Sequence, residues 1–71
     1  MNWYQKQTLR WDILKKNGCT FTGEGTNKFV GLGVSIGNRG IVVLVPKTLP
    51  YREIHTTILE ACEKFYLKAN A

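Results

Sequence analysis

Between Lys28 and Ile36 apolar side chains recur at every second position, Val30, Leu32, Val34 and Ile36, with Phe29, Gly31, Gly33 and Ser35 between them. A period of two marks a strand with one packed face. Gly37 to Gly40, reading Gly-Asn-Arg-Gly, supplies residues that tolerate positive φ, and Ile41 to Val45 follows as an unbroken apolar run. The two runs read as a β-hairpin. A run without polar alternation belongs in the middle of a sheet or under a helix. The strand Ile41 to Val45 is therefore expected to be interior.

Three further elements complete the frame. Asn2 to Asn17 reads as a helix closed by Gly18, with Trp3, Tyr4, Gln7, Trp11 and Leu14 on one stripe. Leu9 and Ile13 fall on the opposite side, which predicts either burial on two faces or a start near Thr8. Cys19 to Glu24, rich in Thr and Phe before a Gly pair, reads as a short strand. Pro46 ends the third strand and Pro50 opens a last helix to about Lys68, with Ile54, Ile58, Ala61, Cys62 and Phe65 at spacings of three and four. The expected fold is α+β: α-β-β-β-α, a three-stranded antiparallel sheet with two helices on one face, of the double-stranded-RNA-binding-domain type.

A chain of 71 residues has interior for one core only, so residues 1–71 are read as one domain. Hydrophobic residues at 44% and charged residues at 21% are globular values, which argues against wholesale disorder. No run approaches the roughly 20 apolar residues of a membrane span, and Met1-Asn2-Trp3-Tyr4 lacks the order of a signal peptide. The expected location is cytoplasmic. Cys19 and Cys62 have no CxxC spacing and only His55 as a possible companion, so they read as buried thiols; no metal or cofactor is expected.

The charge is uneven. Up to Lys47, seven basic residues stand against Asp12 and Glu24, 7 − 2 = +5, whereas Arg52, Lys64 and Lys68 balance Glu53, Glu60 and Glu63. Such asymmetry fits a polyanion-facing surface or a solubilising excess. Trp3 and Tyr4 read as core cover or as stacking platforms for bases. Gly31-Leu32-Gly33 is not a dinucleotide loop, because that fingerprint needs a strand, a glycine turn and a helix in order; within a strand these glycines are expected to leave one sheet face low and open.

The element order, with Trp11, Ile13, Leu14, Lys16 and Gly18 in the first helix, Gly25-Thr26-Asn27 after the first strand, and Val45-Pro46 closing the third, resembles the HicA (YcfA-like) family of small messenger-RNA interferases from toxin–antitoxin pairs. The likeness runs from about Thr8 to Cys62, and the stretch from Pro46 to Ile58 departs from the family's spacing. It implies the double-stranded-RNA-binding-like fold, a site at residues 25–27 and an antitoxin-like protein partner. In the family a histidine follows Gly-Ser and is catalytic; Asn27 stands there in this chain. Its amide hydrogen-bonds but does not titrate near neutral pH, so no proton-transfer group is left at that corner.

Other chemistry finds little footing. His55 is the one histidine and Ser35 the one serine, neither with a partner at recognisable spacing, and the carboxylates of Glu53, Glu60 and Glu63 are ordinary helix-surface charge. The first expectation is a non-catalytic binder of RNA or another polyanion, using Lys15, Lys16, Lys28, Arg39 and Lys47 on phosphates and Thr26 and Asn27 as hydrogen-bonding groups. The second is a small protein-binding inhibitor or regulator, phage- or mobile-element-encoded, using an exposed sheet edge that also permits an edge-strand dimer. The third is residual messenger-RNA interferase activity through other groups.

Overall fold

The computed structural model describes residues 1–70 and runs α1 (Trp3–Lys16), β1 (Thr20–Gly23), β2 (Phe29–Ile36), β3 (Arg39–Pro46), α2 (Tyr51–Ala69). The strands form one antiparallel sheet in the order β1-β2-β3, and both helices lie on the same face. The expected α+β order is thus present. No described helix is long and apolar enough to cross a membrane.

Local chemistry explains the boundaries of α1. Asn2 accepts from the Gln5 amide at 2.8 Å while Gln5 Oε1 accepts from the Asn2 amide at 2.9 Å, a reciprocal cap that satisfies two otherwise orphaned donors. At the far end Gly18 has φ +96°, Gly18 N–H donates to Lys15 O, and Cys19 N–H donates to Leu14 O, both at 3.1 Å. That is a Schellman closure, and its apolar clasp is formed by Leu14 and Cys19, both in the core. The chain leaves this closure already aimed at β1.

In β2 and β3 the positions of partner residues sum to 75: Val30 faces Val45, Leu32 faces Val43, and Ile36 faces Arg39. The hairpin turn is therefore only Gly37-Asn38, with φ +61° at Gly37 and no positive φ at Asn38. This is the type II′ pattern, whose twist suits the flanking strands. Arg39 and Gly40, expected in the turn, are the first residues of β3.

The core fills the space between this sheet and the helices: Leu14 from α1, Cys19, Val34, Val45, and Ile58, Leu59 and Cys62 from α2. Leu59 and Cys62 are wholly buried. Burial, with help from Cys19 and Glu63, pushes the Cys62 thiol up to about 11, and burial also raises Cys19; both are free thiols. α1 covers the β1 side, where the Trp11 and Phe21 rings meet edge to face at 5.2 Å. Arg10 clamps α1 to α2 with both nitrogens of its fork on Glu63, Nε at 3.0 Å, and holds the buried Gln7 through its Oε1 at 3.0 Å.

Three expectations are corrected. The unbroken apolar strand is not in the middle of the sheet and is covered on one face only: β2 is the central strand, α2 packs over Val43 and Val45 of the edge strand β3, and Val42 and Leu44 on the opposite face are 57% and 49% exposed. Leu9 and Ile13 require neither a second buried face nor a late helix start, because α1 begins at Trp3 and both side chains face outward, about half exposed. Nor do the strand glycines leave open space: a Cβ at Gly33 would meet Thr22 Oγ1 at 2.6 Å, and one at Gly31 would meet Glu24 O and Leu44 Cδ2 at 2.6 Å. The end of β1 folds over this glycine, and Leu44 fills the other side.

Candidate nucleic-acid interface

β1 and β2 are joined by Glu24 to Lys28. Glu24 N–H donates to Gly31 O at 3.1 Å, which extends the pairing past β1, and Thr26 N–H donates to Phe29 O at 2.9 Å. The Thr26 hydroxyl oxygen in turn accepts from the amides of Phe29 at 3.2 Å and Lys28 at 3.4 Å. Thr26 is therefore committed to the loop, a role its short hydroxyl side chain fills well. Asn27 and Lys28 are left at the exposed tip. The Asn27 amide makes no hydrogen bond among the described residues.

Lys28 continues β2 by one residue and Lys47 continues β3 by one, and their positions also sum to 75. Lys47 N–H donates to Lys28 O at 3.1 Å, so the two ammonium-bearing residues oppose each other across adjacent strands. Like charges so placed are destabilising. The one ion pair among the described residues is Arg10–Glu63, so neither lysine is neutralised by a carboxylate.

The other predicted contacts lie elsewhere. Arg39 begins β3, eight positions from Lys47, about 27 Å along an extended strand. Lys15 and Lys16 occupy the last turn of α1, which leads through Gly18 to Thr20 and its partner Ser35, beside the hairpin turn. The structure thus gathers Thr26, Asn27, Lys28 and Lys47 at one end of the sheet and leaves Lys15, Lys16 and Arg39 toward the other. Lys15 and Lys16 also have a local role there, complementing the negative end of the helix dipole.

One cation escaped the sequence reading. Arg52, in the first turn of α2, holds its guanidinium 5.0 Å from the Trp3 ring centre and 5.8 Å from that of Tyr4. Trp3 is half-buried and also abuts Tyr51, whereas Tyr4 is 55% exposed. Of the aromatic pair, Trp3 covers the seam between the helices, whereas Tyr4 lies outside it beside Arg52 and the edge of Trp3. The signal was the Trp3-Tyr4 pair itself, but only the packing of the two helix N-termini brings residue 52 to it.

His55 lies in the same seam, with the rings of Trp3, Trp11 and Tyr51 at 5.3, 5.8 and 6.0 Å. Trp11 Nε1–H donates to His55 Nε2 at 2.8 Å, which places the histidine's own proton on Nδ1. Burial, and secondarily the Arg10 charge, lower its pKa. The single imidazole is thus a neutral structural acceptor. Among the described residues no group of three His, Cys, Asp or Glu side chains is placed to hold a metal ion.

Compared with protein-family models, curated proteins and solved structures, the chain matches none. Fold and site together define a small α+β domain with two unneutralised lysines and an unengaged amide at one end of its sheet.

Proposed function

We propose that this domain binds RNA, or a polyanion of the same phosphate chemistry, without cleaving it, through the end of the sheet that carries Thr26, Asn27, Lys28 and Lys47. The observation that carries the reading is the opposed pair Lys28 and Lys47, bonded backbone to backbone with no carboxylate on either. Such a pair costs folding stability, and a phosphate between the two ammonium groups offsets that cost. Asn27 at the neighbouring tip supplies an amide for a phosphate oxygen or a base edge. In the HicA-like reading this is a nuclease corner whose imidazole is replaced, working in the cytoplasm by binding alone.

The test is duplex-RNA binding by fluorescence anisotropy as salt is raised. Phosphate neutralisation predicts an affinity that falls steeply, by about 0.9 logarithmic units per contact for each tenfold rise in salt. Absence of binding at low salt ends the proposal. Asn27→His tests the family likeness separately: gained RNA cleavage supports an inactivated site, and cleavage by the unaltered protein that is lost in Asn27→Ala overturns the non-catalytic reading.

A protein partner, antitoxin-like or an inhibited target, is the second reading. The exposed apolar edge of β3 favours it. Co-purification of a stable companion supports this reading, and a companion that binds equally well after Val42→Lys counts against the edge.

A further inference from the structure

We infer that β3 is the docking strand for a second copy of this chain, the two edges pairing antiparallel about a two-fold axis at Val43 to make one six-stranded sheet. The sequence of β3 reads as an interior strand, yet within one chain it lies at the edge; Ile41 is 40% exposed, and Val42 and Leu44 stand on the helix-free face, 57% and 49% exposed. Arg39 and Pro46 bound the strand, but from Gly40 to Val45 it has no charge or proline, and such apolar edges are normally avoided because they template strand pairing. A second copy pairs the backbone groups of this edge and sets Ile41, Val42 and Leu44 beside apolar side chains across the seam.

Backbone alternation shows what the edge offers. Lys47 bonds Lys28 and Glu24 bonds Gly31, so even-numbered residues of β2 hydrogen-bond to β3 and odd-numbered ones to β1. In β3 the odd positions Arg39, Ile41, Val43 and Val45 therefore bond inward. The N–H and C=O groups of Gly40, Val42 and Leu44 point out of the sheet, whereas the carbonyl of Pro46 accepts from Leu49 N–H at 3.3 Å in the turn that follows. Pro46 is the next even position, where its missing N–H breaks no bond to β2.

The occupant follows from the pattern Arg39-Gly-Ile-Val-Val-Leu-Val-Pro-Lys47, which is nearly palindromic in chemical class about Val43. Centred there, Ile41 meets Val45 of the second copy, Val42 meets Leu44, and Val43 meets itself. Val42 and Leu44 exchange four hydrogen bonds with their counterparts. Shifting the axis by one outward pair sets Leu44 against glycine and Val45 against Arg39, or Ile41 against Lys47. A heterologous strand has no reason to match this symmetry.

The same axis places Arg39 of the second copy beside Lys47, which already faces Lys28. Three cations then stand in a row across three strands at each end of the seam. Their mutual repulsion, together with a seam smaller than the roughly 800 Å² per partner of a standard interface, makes the dimer weak and reversible. The dimer stands on the strand alone; where the polyanion reading also holds, bound polyanion tightens it.

Sedimentation velocity across a concentration series, with amide hydrogen exchange, tests the inference. The expected result is a shift from one chain to two within the series, with Val42 and Leu44 amides slowing in step while Val43 and Val45, already bonded to β2, are slow at every concentration. Val42→Lys/Leu44→Lys and Val42→Glu/Leu44→Glu chains are each expected to stay monomeric with Val43 and Val45 still protected, and to pair when mixed. A single-chain mass up to about 1 mM overturns the inference. So does a dimer in which Val42 and Leu44 exchange as fast as in dilute protein, a readout that needs no variant.

Discussion

Substituting Gly31 and Gly33 separately by alanine discriminates between space closed by backbone and space closed by side chains on the outer face of the sheet. Alanine relieves a strand of glycine's entropic disadvantage by about 0.5–1 kcal/mol at either position. At Gly31 the new methyl would lie 2.6 Å from Glu24 O, 2.7 Å from Glu24 C and 2.6 Å from Leu44 Cδ2. Two of these atoms are backbone, held by the Glu24–Gly31 hydrogen bond, so the strand end must move, and overpacking of this kind costs about 1–3 kcal/mol. The net expectation is a loss of about 1–2 kcal/mol, substantial for a 71-residue chain whose whole stability is about 4–10 kcal/mol. At Gly33 the close neighbours are Thr22 Oγ1 at 2.6 Å and Glu24 Cγ at 3.3 Å, side-chain atoms that can rotate away. Gly33→Ala is expected to stay within about 0.5 kcal/mol of the parent. Urea unfolding measures both: with a slope near 1 kcal/mol per molar, Gly31→Ala lowers the midpoint by about 1–2 M. Thermal unfolding should fall by about 5–15 °C. Gly31→Ala as stable as Gly33→Ala would refute the claim that Glu24 is seated on this glycine.

Other perturbations probe the helices and the buried groups. Gly18→Ala forces a side chain to φ +96° and is expected to cost about 1–2 kcal/mol in chemical denaturation, whereas no loss would mean that the Schellman closure is not needed. The folded pKa of His55 lies below its unfolded value of 6.5, so the unfolded chain binds the extra proton first. Stability should therefore fall as pH drops below about 6.5, and His55→Phe should abolish that dependence; an unchanged pH profile in the variant would contradict the Trp11–His55 bond. Cys62, raised to about 11, has the opposite consequence at high pH: stability declines between about 9 and 11 as the unfolded thiol ionises first. Cys62→Ser should flatten that decline, and fast reaction of a thiol reagent with the native protein at neutral pH would show that the buried placement is wrong.

The elements were readable because each is written in local chemistry: alternation along Lys28 to Ile36, glycine at 18 and 37, proline at 46 and 50. Strand order was not. An apolar run such as Ile41 to Val45 reads the same whether a helix, a neighbouring strand or another molecule covers it. Leu9 and Ile13 misled for a related reason, since a helix pattern records apolar faces without recording what they face. The turn carrying Asn27 and Lys28 was legible from its glycines and threonine. Its partnership with Lys47 depends on a register fixed only when the hairpin turn contracts to two residues. Trp3 with Arg52, and Trp11 with His55, join residues more than forty positions apart, and no spacing rule reaches that far.

The most direct measurement for the central claim, that polyanion is held at the Lys28–Lys47 end, compares the salt dependence of duplex-RNA binding in Lys28→Ala, Lys47→Ala and Lys15→Ala/Lys16→Ala. Loss of one phosphate contact flattens the logarithmic slope by about 0.9. The account predicts that change for each of the first two variants and none for the α1 pair. A slope flattened by the α1 substitutions and left intact by Lys28→Ala and Lys47→Ala would place the interface at the opposite end of the sheet and contradict it.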